Sequence, residues 1–239
     1  MDLKGFSNRI DQWDQRVILK YNAIGGKSVT IILRFVSFFG REILWLFLIA
    51  FYLLVWYDPY LLAYLSAIFL TGLILILFVK QTVKRKRPFE KFKDGEIRVS
   101  ERKPTSRSFP SWHSYNVTAE GLLFGLFFMK SPLITFLLMI LVLLVCFSRI
   151  QLGVHYPSDV IFGCVIGIIG FLISIYLIGP LLLLMLTFLE QFIVNIQYQQ
   201  VNSLIFRNVY YSLLCFSVFL IILLLAFYKK IHDLLKKSK

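Results

Sequence analysis

The stretch "SRIQLGVHYPSD", Ser148 to Asp159, puts an arginine, a histidine and an aspartate within eleven residues of a chain built mostly from Leu, Ile, Phe and Val. Each of these side chains is expensive in hydrocarbon, so the placement needs a structural or a chemical reason. Arg149 closes one apolar run, Pro157 is well placed to start the next helix, and His155 stands just before it. Asp159 follows His155 by four residues. A carboxylate at that distance can hydrogen-bond one ring nitrogen, fix the tautomer, leave the other nitrogen as a nucleophile and stabilise a cationic intermediate. The same residues admit a plainer reading, a structural Arg149–Asp159 pair with His155 capping the helix.

Two further clusters carry polar chemistry. "KQTVKRKRP", Lys80 to Pro88, leaves an apolar run. Taken alone it reads as a basic flank anchoring a helix among headgroups. Lys80 and Arg87 are nevertheless seven residues apart, on one face if the helix continues, and an ammonium beside a guanidinium suits a phosphate. Pro88 would then stop the helix. "SFPSWHS", Ser108 to Ser114, precedes another apolar run. Pro110 and Ser111 are ordinary helix starters and His113 an ordinary interfacial histidine. A helix start also aims unpaired N–H groups and positive partial charge outward, which suits an anion, and an imidazole beside it could donate a proton.

The elements that must bring these clusters together are membrane helices. Of 239 residues, 58% are hydrophobic and the mean hydropathy is +0.75, well above a soluble domain, where roughly 45–50% is usual. The expected architecture is all-α: one polytopic membrane bundle over 1–239, of about six transmembrane helices plus an N-terminal interfacial helix. Residues 1–21 place Phe6, Ile10, Trp13, Val17 and Tyr21 at helical spacing, an oily stripe suited to the interface. The run 28–40 is too short to span and is cut by Arg34, which makes 1–41 an interfacial segment. Crossings are expected at about 42–57, 60–79, 111–130, 132–148, 157–178 and 211–228. The segment 181–200 is ambiguous, Gly179-Pro180 punctuates the chain before it, and 229–239 is a basic tail. If 111–130 and 132–148 form a hairpin, the loop at 80–110 and the stretch at 149–158 lie on one side, and the core at 80–159 gathers all three clusters.

The formal charge of +13 raises nucleic acid as a partner. Its basic residues sit in short segments between apolar runs, so anionic lipid headgroups or phosphorylated lipids fit better, and no nucleic acid is expected. Cys146, Cys164 and Cys215 lie inside apolar runs without paired spacing and read as small buried hydrophobes. The N-terminal residues lack the apolar stretch of a cleavable signal peptide. Two of the three histidines occupy the converging helix ends, and the third, His232, falls in the basic tail.

With these motifs the sequence resembles the type 2 phosphatidic acid phosphatase family, which includes related haloperoxidases. That family's pattern is Lys, six residues, Arg-Pro; then Pro-Ser-Gly-His; then Ser-Arg, five residues, His, three residues, Asp. Here the three read "KQTVKRKRP", "PSWH" and "SRIQLGVHYPSD". The resemblance implies a phosphohydrolase working through a phosphohistidine. His155 would attack phosphorus, Asp159 would orient it and support its charge, and His113 would protonate the departing oxygen and then help activate water. Lys80, Arg87, Ser111 and Arg149 would hold the phosphoryl oxygens, with Trp112 lending its backbone N–H. That division fits phosphoryl transfer, which depends mainly on positioning and electrostatics. Trp112 departs from the family's glycine, which lets backbone approach a phosphate closely; its ring must point away and is expected to shape specificity. No metal and no cofactor are implied. His113, His155 and Asp159 could ligate zinc in principle, but the cations and hydroxyl around them favour an anion.

A site at helix ends near the membrane surface suits a lipid phosphate, among them phosphatidic acid, phosphatidylglycerol phosphate, isoprenyl diphosphates and lipid A phosphates. The loop at 89–109 is expected to cover the site. A phosphotransferase passing the group to a lipid or sugar hydroxyl, and a non-catalytic lipid-binding or transport protein, are the rival readings. Glu120 is expected to make a hydrogen bond inside the bundle, and Asn116 to orient His113. The positive-inside rule alone would put the site in the cytoplasm, whereas the resemblance implies an extracytoplasmic or luminal face, in a bacterial inner or plasma membrane. Nothing in the sequence sets an oligomeric state.

Overall fold

The computed structural model describes residues 3–193 and 196–237, with side chains described for residue 5 and for 7–225 apart from 194 and 195. All named elements among the described residues are helical. In chain order they are α1 (Leu3–Tyr21), α2 (Gly26–Ser37), α3 (Glu42–Leu54), α4 (Pro59–Val83), α5 (Pro88–Lys91) and α6 (Trp112–Leu122). There follow α7 (Pro132–Gln151), α8 (Pro157–Ile173), α9 (Gly179–Glu190), α10 (Leu204–Arg207) and α11 (Val209–Lys237). Three stretches, Pro59–Lys91, Pro132–Gln151 and Pro157–Glu190, are long and apolar enough to cross a bilayer. The protein is an integral membrane protein.

Two of the remaining expected crossings are shorter helices. The chain turns early at 55–58, leaving α3 with 13 residues, and α6 has 11 residues before a six-residue π turn at Leu123–Phe128. α11 runs through the whole of the expected 211–228 to Lys237, with side chains described as far as Leu225, so the side chain of His232 lies outside the described ones. Gly179-Pro180 does not end a helix, contrary to the sequence reading. A π turn at Ser174–Ile178 carries α8 directly into α9; its wider i to i+5 hydrogen bonding absorbs the register change that the missing proline N–H imposes. In the ambiguous segment 181–200, the helix stops at Glu190.

The chain forms two compact units, Met1–Arg41 with Ile68–Ser174, and Glu42–Ala67 with Ile175–Lys239. In the second, α3 packs on α11. Tyr57 and Tyr198 both donate to the Glu190 carboxylate, at 2.8 and 3.0 Å.

The first unit carries all three polar clusters. Its centre is α6, packed against both α7 and α8. The close approach is made by glycines on one face of α8, as between membrane helices, where backbone contact replaces the hydrophobic drive available in water. A Cβ at Gly163 would stand 2.6 Å from the Ser111 carbonyl oxygen, and one at Gly170 would stand 2.5 Å from the Tyr115 hydroxyl. That hydroxyl instead donates to the Ile68 carbonyl at 2.8 Å. Val117, Val142, Val145, Cys146 and Val160 form the apolar core between these helices. Glu120 is buried in α6, and its Oε2 has no hydrogen-bond partner, so this atom does not make the bundle hydrogen bond expected of it.

α1 and α2 meet at a 118° bend, where Gly25 and Gly26 take φ of 77° and 68°, a conformation that favours glycine. α1 does more than lie on an apolar stripe. Trp13 of that stripe is exposed, whereas Asp14 and Ile18, on a different face, are fully buried, and α1 packs against α7 and α8.

Candidate active site

The site begins where α7 ends. Arg149 lies in the last turn of α7, and its carbonyl accepts from the N–H groups of both Val154 and His155, at 3.2 and 3.3 Å. Gly153, with φ of 76°, makes the turn between them. Pro157 then starts α8, and Asp159 in its first turn reaches back to accept the Tyr156 N–H at 2.9 Å. This local folding presents His155 and Asp159 side by side, with the ring Nδ1 3.5 Å from Asp159 Oδ2.

The other ring nitrogen, Nε2, lies 3.2 Å from Arg87 Nη1. A guanidinium can only donate, so Nε2 is the lone-pair nitrogen and the ring proton sits on Nδ1, facing Asp159. The Nδ1–Asp159 separation is longer than a hydrogen bond, leaving room to tighten when positive charge develops on the ring. Burial, and then the charges of Arg87, Arg149 and Lys80, push the His155 pKa well below the usual histidine range. The imidazole is therefore neutral at neutral pH and able to act as a nucleophile.

Asp159 is held on both oxygens. Oδ1 accepts from Arg85 at 2.7 Å, while Oδ2 accepts from the Ser108 hydroxyl and the Tyr156 N–H.

Lys80 and Arg87 come together, but not on one helix face. α4 stops at Val83, and Lys84 turns the chain with φ of 49°. Arg87 lies in extended backbone as the cap of α5, its N–H donating to Glu90 at 2.8 Å. Pro88 therefore opens a short helix rather than closing a long one. The two cations converge on one acceptor, the Arg107 carbonyl, at 2.5 Å from Lys80 Nζ and 3.5 Å from Arg87 Nη2. Arg87 also donates to the Ser106 carbonyl at 2.7 Å and the Val154 carbonyl at 2.8 Å. Arg149 is taken by both carboxylate oxygens of Glu101 and by the Ser37 hydroxyl. Every cation expected to grip a phosphate thus holds an oxygen acceptor of the protein, and residues 101–107 supply most of them.

Ser111 caps α6, accepting from the Ser114 N–H at 3.4 Å and hydroxyl at 2.9 Å. Its own N–H donates to the Asp159 carbonyl at 2.9 Å, which ties the second cluster to the third. Trp112 and His113 open the helix, so their N–H groups have no acceptor within it. The Trp112 indole Nε1 is buried without a partner. His113 lies within electrostatic reach of Arg149, His155, Arg41 and Arg87. Asn116 does not bond to His113; it donates to the Gly40 carbonyl at 3.0 Å. Gly40 is what sits on His113, since a Cβ there would come within 2.9 Å of the histidine Cβ.

The ends of α4, α5, α6, α7 and α8 thus bring together two histidines, three cations and a helix N-terminus. A family model for the PAP2 superfamily matches residues 59–183, more than half of the chain. The chain belongs to the PAP2 superfamily. A decaprenylphosphoryl-5-phosphoribose phosphatase of Mycobacterium tuberculosis is 38% identical to it over 93 residues, 39% of this chain and 48% of the relative, so the match spans about half of that protein. An undecaprenyl-diphosphatase of Sulfolobus acidocaldarius is 30% identical over 151 residues, 63% of this chain and 70% of the relative. The crystal structure of Aquifex aeolicus LpxE shares the fold, with a TM-score of 0.58 at 22% identity over 67% of this chain and 93% of that one.

In this PAP2 chain the motif residues are joined by others that sequence reading passed over. Arg85 lies inside the quoted basic cluster but was treated as spacer. Asp14 sits in α1 among the polar residues between its apolar positions, with no signal to single it out. Glu101, Ser37 and Gly40 carry no local signature, because their partners lie 48, 112 and 76 residues away along the chain.

Proposed function

We propose that this protein is a metal-independent lipid phosphatase that cleaves a phosphomonoester or diphosphate on a lipid headgroup through a phosphohistidine. His155 Nε2 gives its lone pair to phosphorus, and the bond from phosphorus to the lipid oxygen breaks. His113, taking up a proton as the anionic substrate settles beside it, hands that proton as an imidazolium to the departing oxygen. In the second step His113 takes a proton from water as the water oxygen attacks phosphorus, and the P–N bond breaks to return neutral His155. Asp159 supports the imidazolium between the steps. Lys80, Arg87, Arg149, Ser111 and the first N–H groups of α6 neutralise the phosphoryl oxygens, the electrostatic work that phosphoryl transfer requires.

The observation that carries this reading is His155, held between a carboxylate and a guanidinium whose N–H faces Nε2. The similarity to a decaprenylphosphoryl-5-phosphoribose phosphatase and an undecaprenyl-diphosphatase puts polyprenyl-linked phosphates first among candidate substrates. We place the site on the extracytoplasmic face of a bacterial inner membrane, and reactivity of cysteines introduced at 89–109 toward an impermeant reagent tests that placement.

The deciding experiment is phosphate release by purified protein from a panel of polyprenyl, glycerolipid and lipid A phosphates, with and without an alcohol acceptor. His155→Ala should abolish release and a chelator should not. Full activity in His155→Ala would sink the assignment, and product formed only with acceptor would make it a transferase.

A further inference from the structure

Asp159 is fully buried, so its charge requires a partner in direct contact. Among the described residues that partner is Arg85, whose Nη1 donates to Asp159 Oδ1 and to the Ser158 hydroxyl, both at 2.7 Å. Its Nη2 donates to Asp14 Oδ2 at 2.6 Å and to Asp11 Oδ1 at 2.8 Å. The guanidinium carbon stands 4.3 Å from the centre of the Tyr156 ring, a stacking contact that fixes the plane of the fork. Asp14 is itself fully buried and accepts from both the N–H and the hydroxyl of Ser158, in the first turn of α8. One cation is thereby pinned by α1 below and by Tyr156 across its face, and it spends one edge on the oxygen of Asp159 that does not face His155.

We infer that Arg85, splinted by Asp14, is a positioning residue that sets the rotation of the Asp159 carboxylate and so aims Oδ2 at His155. This rests on the phosphatase reading for its role in turnover, but the geometry also bears on any anion that bonds to His155. With Oδ1 engaged by Arg85, Oδ2 is left to the Ser108 hydroxyl, the Tyr156 N–H and the imidazole. Without Arg85 the carboxylate can turn toward another cation, and support for a cationic ring is lost although Asp159 remains present. Arg85 touches neither His155 nor the Lys80–Arg87–Arg149 group in the hydrogen bonds of this structure, so its removal should leave ground-state anion binding nearly intact.

The test compares two anions by calorimetry on detergent-purified protein. Inorganic phosphate reads ground-state binding, while orthovanadate accepts a fifth ligand and reads bond formation to His155. Arg85→Gln should weaken vanadate by 10-fold or more and phosphate by less than 3-fold, with Arg85→Lys partly restoring vanadate and Asp14→Asn giving a milder version of the same split. In an Asp159→Asn background, Arg85→Gln should have no additional effect, as expected for residues acting through one another. On a turned-over lipid phosphate the same split should appear as a fall in kcat at nearly constant KM.

Equal loss of both anions, no loss of either, or multiplying effects in the double variant would overturn the inference. So would wild-type protein that binds neither anion. If Arg85→Gln does not fold, Asp14→Asn carries the comparison. Absence of lipid phosphate hydrolysis with the vanadate split intact would count against the phosphatase reading alone.

Discussion

Both carboxylate oxygens of Glu101 engage both terminal nitrogens of Arg149, the bidentate geometry in which arginine also takes a phosphate. The segment that supplies Glu101 supplies the Ser106 and Arg107 carbonyls to Arg87 and Lys80 as well. On the proposed reading, an incoming phosphate would have to compete with the protein's own oxygens at each cation.

Glu101→Gln should therefore tighten anion binding. Replacing a charge-assisted pair by a neutral one removes about 1 kcal/mol of competition, which corresponds to a roughly 3- to 10-fold lower inhibition constant for inorganic phosphate. Inhibition assays at fixed pH check this, and an unchanged or weaker constant would mean that Glu101 is not a competitor.

The acid limb of kcat/KM should lie below the ordinary histidine value of about 6.5. In the proposed mechanism the nucleophile is neutral His155, and burial together with Arg87, Arg149 and Lys80 lowers its pKa. Activity should persist as pH falls through 6.5 and disappear only further down, whereas Arg87→Gln, removing a cation, should move the limb upward. The same shift has a stability consequence. The unfolded chain takes up the proton first, so the contribution of neutral His155 is present above about pH 6.5 and is lost as pH drops toward the lower folded-state pKa.

His113→Ala should slow the release of a lipid alkoxide by about 10²–10⁴-fold, the usual worth of a positioned proton donor. An activated ester such as p-nitrophenyl phosphate, whose leaving group needs no proton, should lose far less. Equal losses on both substrates would remove His113 from that role.

Gly163→Val should disturb the site through packing. Its side chain would drive into the Ser111 carbonyl oxygen and Ser114 Cβ, 2.6 and 2.9 Å from the first added carbon. Overpacking of this kind is worth about 1–3 kcal/mol of stability. Thermal unfolding in detergent should show the loss, and activity should fall because α6 carries both Ser111 and His113.

The chemistry was legible from the sequence wherever a residue and its partner are close along the chain. His155 and Asp159 are four residues apart and Ser111 is a cap three residues before Ser114, so spacing alone anticipates that each pair lies side by side. His155 Nδ1 nevertheless stands 3.5 Å from Asp159 Oδ2 and does not make the expected hydrogen bond. Lys80 and Arg87 were read onto a continuous helix that stops at Val83; nothing in "QTVKRKR" announces the left-handed Lys84 that ends it. Long-range pairs were not legible at all. Asp14 looked like the polar side of an interfacial helix, and Arg85 like one more positive charge at a membrane flank, until α1 is packed against α8. Asn116 was assigned to its helical neighbour His113 because a sequence shows i+3 relations and conceals Gly40, which lies 76 residues away.

Asp14 caps a helix whose bonded residue, Ser158, lies 144 positions further along the chain. The surroundings of His155 are thus sealed by a long-range closure, and closures of that reach come late in folding because the chain entropy is lost before the contact forms. α6, α7 and α8 can assemble on one another, α6 packing against both of the others, yet until the first helix docks, the turn that bears His155 has no cap from Asp14 and Arg85 has no splint.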